Sequence, residues 1–225
     1  MKRPLFTSVF LCSTFLFSFA QKKVNLYDTD DLSKEFHIGR RDAFREKLPD
    51  STIAVFFAAP EKIRSNDVEY DFKQDPDFDY LTGLKESNSV LIIFKNVEDF
   101  DGISVNELLF SQDKNPIAER WTGRRLGADS AEVKLGFKIA KNSSDFADFK
   151  INYAKYKMVY YQDKFNDVED DKDDRGDLAS LLKHFKLKCL MCFEKSALSI
   201  TYPLLKIPPR MTLNKVFEKC LATVF

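Results

Sequence analysis

Residues 52–59 read TIAVFFAA, eight uncharged residues rich in β-branched and aromatic side chains. Such a run predicts a strand buried on both faces, because a half-exposed strand would alternate apolar with polar residues. Residues 89–95 (SVLIIFK) repeat the pattern, residues 107–111 (ELLFS) give a shorter version, and residues 157–162 (KMVYYQ) give a fourth. Strands covered on both sides need helices on both sides. The expected class is therefore α/β, a mixed β-sheet flanked by helices on both faces. The helices are found in the gaps. Residues 31–49 carry Phe36, Phe44 and Leu48 as one apolar stripe and stop at Pro49. Residues 117–120 and 130–135 read as short helices between the third and fourth strands, and residues 178–187 as an amphipathic helix capped by Asp177.

Composition allows a folded chain and narrows its partners. Of 225 residues, 44% are hydrophobic and 31% charged, enough apolar material for a core and too much for global disorder. Lys plus Arg and Asp plus Glu both number 35, which removes the electrostatic reason to expect nucleic acid or an anionic membrane as a partner. Lys2 and Arg3 precede an apolar run over residues 5–19, with Ser18 and Ala20 at the two positions a signal peptidase reads. Residues 1–20 are expected to be a secretory signal peptide cleaved after Ala20, giving a secreted or periplasmic protein with no membrane association after cleavage. The run is too short and too interrupted for a comfortable span of about 20 apolar residues. Bulky Val9, Phe10 and Leu11 argue against a lipoprotein site at Cys12. Residues 21–34 form a mature N-terminal extension.

Two further stretches carry local chemistry. Residues 58–83 run AAPEKIRSNDVEYDFKQDPDFDYLTG. Asp75 suits an N-cap, Pro76 a first helical turn and Gly83 a left-handed C-terminal position, so DPDFDYLTG predicts one helical turn with both ends specified. Arg64 among Asp67, Glu69 and Asp71 offers a charge network that would tie this loop to the sheet, and Tyr70 alternates with Phe72 as if packing one face. The second stretch is ERWTGRRLG at 119–127, followed by AEVKLGF. Its Gly123 and Gly127 alone would carry no information.

Together the two stretches resemble the N-terminal domain of aminopeptidase P, of the creatinase and prolidase superfamily. The first matching set is Arg64, Ser65, Asp67, Glu69, Tyr70, Phe72, Lys73, Gln74, Asp77, Phe78, Tyr80, Thr82 and Gly83; the second is Trp121, Gly123, Arg124, Arg125, Leu126 and Gly127. The resemblance covers roughly residues 35–185 and implies a mixed sheet with helices on both faces, in agreement with the strand reading; the domain is placed at 35–187. It implies the non-catalytic N-terminal domain, a fragment, of an Xaa-Pro aminopeptidase, an enzyme acting on proline-containing peptides and homo-oligomeric when intact, which the signal-peptide reading makes a secreted one. It also implies manganese, held by five ligands in a separate C-terminal domain, none of which can be placed on this chain. Arg64, Asp67, Glu69, Tyr70, Phe78, Tyr80, Gly83 and Gly127 are expected to be structural. Trp121, Arg124 and Arg125 are the candidates for substrate contact or an interface, since the resemblance places that segment toward a domain boundary and a neighbouring subunit. An ordinary core anchor is the alternative for Trp121.

Other chemistry lacks its parts. His37 and His184 belong to no metalloprotease or serine-centred motif, and each is expected at a helix surface. Cys189 and Cys192, with His184 five residues earlier, offer half a zinc site or a redox pair; the second half of a zinc site is absent, since no histidine follows Cys220 at ligand spacing. The acidic run at 167–177 fails as a calcium loop: counting from Asp171, the fifth position is Arg175 and the twelfth is Leu182. It reads as a solvated connection. Residues 188–225 hold every cysteine outside the signal and depart from the family's linker, so they are expected to be an atypical tail, a frameshift or early stop in place of the catalytic domain. A stand-alone docking or oligomerisation domain is the alternative.

Overall fold

Ser33 starts the first helix by accepting a hydrogen bond from the Phe36 amide, and Glu35 in the first turn with Arg45 and Lys47 in the last complement the helix dipole. This helix, α1 (Lys34–Lys47), is the first element of a computed structural model that describes residues 32–65, 68–161 and 175–197. Its buried face is His37, Arg41 and Phe44, continued by Leu48. Phe36 is only partly buried. His37, expected at the surface, is 2% exposed, a correction whose reason is positional: it stands one turn before Arg41 on the stripe that faces the sheet.

The sheet follows from β1 (Thr52–Phe57), which has no exposed residue. Ile53, Val55 and Phe57 point to one face, and Ala54, Phe56 and Ala58 to the other. The order of the five strands is β6-β5-β4-β1-β7, with β4 spanning Val90–Phe100, β5 Ile103–Ser111, β6 Ala140–Asn142 and β7 Met158–Tyr161. β1 runs antiparallel to β4, in register from Ile53 with Phe94 to Phe57 with Val90, and parallel to β7. β5 is antiparallel to β4 and parallel to β6, so the sheet is mixed.

β4 and β5 are longer than the apolar runs that predicted them. Phe100 pairs with Ile103 across a two-residue turn, Asp101 (φ 54°) and Gly102 (φ 81°), the left-handed pair that suits a tight hairpin. The added length mixes Val97, Phe100, Ile103 and Val105 with polar residues and is mostly exposed, so no continuous apolar run marks it.

Each face is covered. On one, α1 packs with α2 (Pro76–Thr82) and α4 (Ala128–Leu135) over Ala54, Phe56, Leu91, Ile93 and Leu109. On the other, α5 (Leu178–Ala197) lays Leu178, Leu181, Leu182 and Phe185 on Ile53, Val55, Ile92 and Phe110, beside single 3₁₀ turns at Ser143–Ala147 and Tyr153–Lys155. Fully burying one side chain of this size contributes about 1.5–3 kcal/mol, so both layers matter to stability. Asp177 caps α5 through the Ser180 amide at 2.6 Å. α5 runs past residue 187, the expected end of the domain, and Lys188 donates to the carbonyls of Phe146 and Phe149 while Cys189 packs against the core. α3 (Glu119–Thr122) lies two residues later than its predicted position, and Ile117 belongs to the turn before it. The residues expected to form a signal peptide and an N-terminal extension, up to residue 31, the acidic residues 167–174, and the tail from 198 onward with Cys220 lie outside the described residues, as does the side chain of Cys192.

Candidate functional site

The first motif builds a frame. Beyond β1 the chain makes a two-stranded ribbon, β2 (Ile63–Ser65) with β3 (Val68–Glu69), on which Arg64 and Glu69 are exposed and Tyr70 is 57% exposed. The expected packing of Tyr70 on a face is therefore not found, and no ion pair joins Arg64 to Glu69 or Asp71; Asp67 lies outside the described residues. The next residues turn inward. Gln74 donates to the carbonyls of Leu84 (2.9 Å) and Glu86 (2.7 Å) and accepts from the amides of Ala59 (2.8 Å) and Asp75 (3.0 Å), so one amide group stitches the end of β1 to both flanks of α2. Asp75 caps α2 by accepting from the Asp77 and Phe78 amides, with Pro76 in the first turn, as the sequence implies.

Gly83 ends α2 at φ 68°, its amide donating to the Asp79 carbonyl at 2.7 Å. A Cβ there would stand 2.7 Å from His37 Nε2, so glycine is required by both conformation and space. His37 Nδ1 lies 3.0 Å from the Tyr80 carbonyl oxygen, and the Tyr80 hydroxyl accepts from Arg40 at 3.2 Å. Phe78 is fully buried.

Arg41 is the unexpected member. It is fully buried, donates to the carbonyls of Leu81 (2.9 Å) and Leu135 (3.3 Å), sits 4.1 Å over the Phe137 ring, and pairs with Glu107 at 3.0 Å. Glu107 also pairs with Arg45 at 2.9 Å. Burial lowers the Arg41 pKa and the Glu107 charge opposes that shift, so the pair holds the guanidinium charged inside the protein. Sequence reading missed Arg41, Glu107 and Glu86. The available signal was polar residues at core spacing, 37 and 41 ahead of Phe44 and Leu48.

The second motif does the opposite. Its loop is closed at the base: Arg125 donates to the Asp113 carbonyl at 2.9 Å, and Asn115 Oδ1 accepts from the amides of Ile117 (3.0 Å) and Ala118 (3.1 Å). Leu126 is 3% exposed, and its amide donates to the carboxylate of Glu86, itself 9% exposed. Gly127, at φ 71°, opens α4 with the Lys114 side chain where a Cβ would go. On this strapped base, Trp121 is 88% and Ile117 71% exposed, with Arg120 and Arg124 exposed beside them and Arg125 half-buried. Trp121 is therefore no core anchor. The structure brings Gln74, Glu86 and Leu126 into one chain of contacts, and leaves Trp121 and Arg124 facing solvent.

Among the described residues no group of three or more His, Cys, Asp or Glu stands together to hold a metal ion. His184 is partly exposed on α5. Among the same residues, no helix is long and apolar enough to cross a membrane.

The family pattern described as aminopeptidase P, N-terminal domain, matches residues 37–160. The chain is 40% identical over 129 residues to the Xaa-Pro aminopeptidase of Escherichia coli (strain K12), covering 57% of this chain and 27% of that protein. It is 30% identical over 123 residues to Xaa-Pro aminopeptidase 3 of Homo sapiens, covering 54% and 24%. The solved structure of aminopeptidase P from E. coli with the inhibitor Pro-Leu overlays with a TM-score of 0.56 at 30% identity, over 77% of this chain and 36% of that one. The chain thus spans about a quarter of the length of these curated relatives.

Proposed function

The chain belongs to the aminopeptidase P N-terminal domain family, and from that premise we propose that it is the non-catalytic N-terminal domain of a secreted Xaa-Pro aminopeptidase, whose role is to present the Trp121 segment to a neighbouring subunit or to bound peptide. The hydrolysis itself, removal of an N-terminal residue before proline, belongs in this reading to a separate C-terminal metal domain. Manganese, the metal the family implies, would supply activated water there. The described residues do not fit it, since no donor cluster of sufficient size exists among them, and no step assigned to this chain runs through the metal.

One observation carries the reading: an 88% exposed tryptophan, flanked by exposed arginines, stands on a loop whose base Arg125 closes on the Asp113 carbonyl and whose C-terminal end is tied to the buried carboxylate of Glu86. Large aromatics left in water on an ordered base are the anchors interfaces are built from, and Arg beside them adds planar hydrogen bonding to carboxylates or peptide. The same observation favours the second reading, a stand-alone docking or oligomerisation domain, because the presented surface is complete within this chain. Secretion rests on Lys2, Arg3 and the apolar run up to Ala20, and places the mature start at Gln21.

The test has two arms. Purified secreted chain supplied with manganese is expected to hydrolyse Xaa-Pro peptides no faster than manganese in buffer; turnover abolished by chelator and restored by manganese would overturn the non-catalytic assignment. Sedimentation velocity of the wild type and Trp121→Ala is expected to show weaker self-association or weaker binding to intact enzyme in the variant. Equal association would remove the presenting role.

A further inference from the structure

The loop that carries Trp121 is held from below by a residue outside it. Glu86 lies between α2 and β4, is 9% exposed, and directs one carboxylate oxygen at the Leu126 amide. Its own carbonyl accepts from Gln74 Nε2 at 2.7 Å, and Gln74 also holds Ala59 at the end of β1. A charged acceptor on a buried backbone N–H makes a stronger hydrogen bond than a neutral one, and low local polarity strengthens it further. Leu126 is the last residue of the loop before Gly127 turns the chain into α4. Its amide is therefore the point where the orientation of residues 119–125 is set against the sheet.

We infer that Glu86 is a positioning residue for the Trp121 loop, coupling the exposed segment to the Gln74 frame through the Leu126 amide without touching whatever the loop contacts. The inference rests on the proposed presenting role of Trp121. Arg125 and Asn115 close the loop upon itself, and at its start the Asp113 carboxylate accepts from the Ser144 amide (3.3 Å) and hydroxyl; at the other end Glu86 joins it to the flank of α2 and, through Gln74, to the end of β1. A loop still closed and held at Asp113 but released at Leu126 would keep its internal shape and lose its direction. Preorganisation of this kind lowers the ordering entropy that docking would otherwise require.

Hydrogen exchange on the full chain tests this in Glu86→Ala and in the isosteric Glu86→Gln, which keeps a neutral acceptor. The Leu126 amide should exchange faster on the order of ten- to a hundredfold in Glu86→Ala, with partial recovery in Glu86→Gln, while the β1 amides at 53–57 keep their protection. In parallel, the fluorescence anisotropy of Trp121, the sole tryptophan, should fall in Glu86→Ala and its association should weaken. Unchanged exchange at Leu126, or loss in step with β1 in both variants, would overturn the inference by making Glu86 irrelevant or merely a core residue. If Trp121→Ala leaves association intact while Glu86→Ala still frees Leu126 and Trp121, the anchoring by Glu86 stands and the presenting role falls. If Trp121→Ala weakens association and Glu86→Ala frees Leu126 without weakening it, the positioning role is wrong.

Discussion

Residues 74–83 and residues 119–127 are the two stretches of this chain most distinctive in spelling, and the fold treats them in opposite ways. In the first, Gln74, Asp75, Phe78, Thr82 and Gly83 all spend their side chain or conformation on neighbours, and nothing large is left in water. In the second, only Arg125, Leu126 and Gly127 turn inward, and Trp121 and Arg124 are held outward. A distinctive spelling thus marks constraint without saying whether the constraint comes from inside the domain or from outside it. Burial and hydrogen-bond partnership separate the two. Substitutions in the frame should destabilise the fold, and substitutions in the presented segment should leave it untouched.

The largest effect is expected at Arg41. Arg41→Ala leaves the carbonyls of Leu81 and Leu135 without their guanidinium donors and Glu107 with one cation instead of two, a loss of about 3–5 kcal/mol in urea unfolding. A loss below about 1 kcal/mol would show that the network is solvated and that the frame is looser than described. A smaller effect is expected at Gly83. Gly83→Ala meets both a left-handed backbone and the His37 ring, and should lower stability by about 1–3 kcal/mol, measured in the same way. His37→Ala in the Gly83→Ala background should return the steric part of that loss, which sharpens the assignment of space against conformation. The smallest effect is expected at Trp121, where Trp121→Ala should move stability by no more than about 0.5 kcal/mol, as for a surface position. A loss comparable to that at Gly83 would break the contrast between the two segments.

How much of this could be read beforehand depends on whether the cause was local. The unbroken apolar run of TIAVFF and the caps of DPDFDYLTG are properties of neighbouring residues, and both were legible. The Asp101–Gly102 turn was equally local, yet the mixed NVEDF before it and ISVN after it interrupt the apolar runs and masked the extension of β4 and β5 that it joins. Arg41 could not be read as buried, because what makes its burial tolerable comes from Leu81, Leu135 and Glu107, brought near only by the fold. Glu86 is hidden for the same reason, its partner being the Leu126 amide. His37 was misplaced because histidine tolerates either environment, and the contact with Tyr80 that settles it spans 43 positions. Trp121 was open between core and interface, since a large aromatic serves both.

The contrast between frame and presented loop is tested most directly by the fluorescence of Trp121, which no other tryptophan in the chain obscures. In dilute solution its emission should be that of a fully hydrated indole and open to acrylamide and iodide, and with rising protein concentration or added intact enzyme it should shift to the blue and become protected. A blue-shifted, quencher-inaccessible indole in the dilute chain would contradict the account, because the segment would then be part of the core.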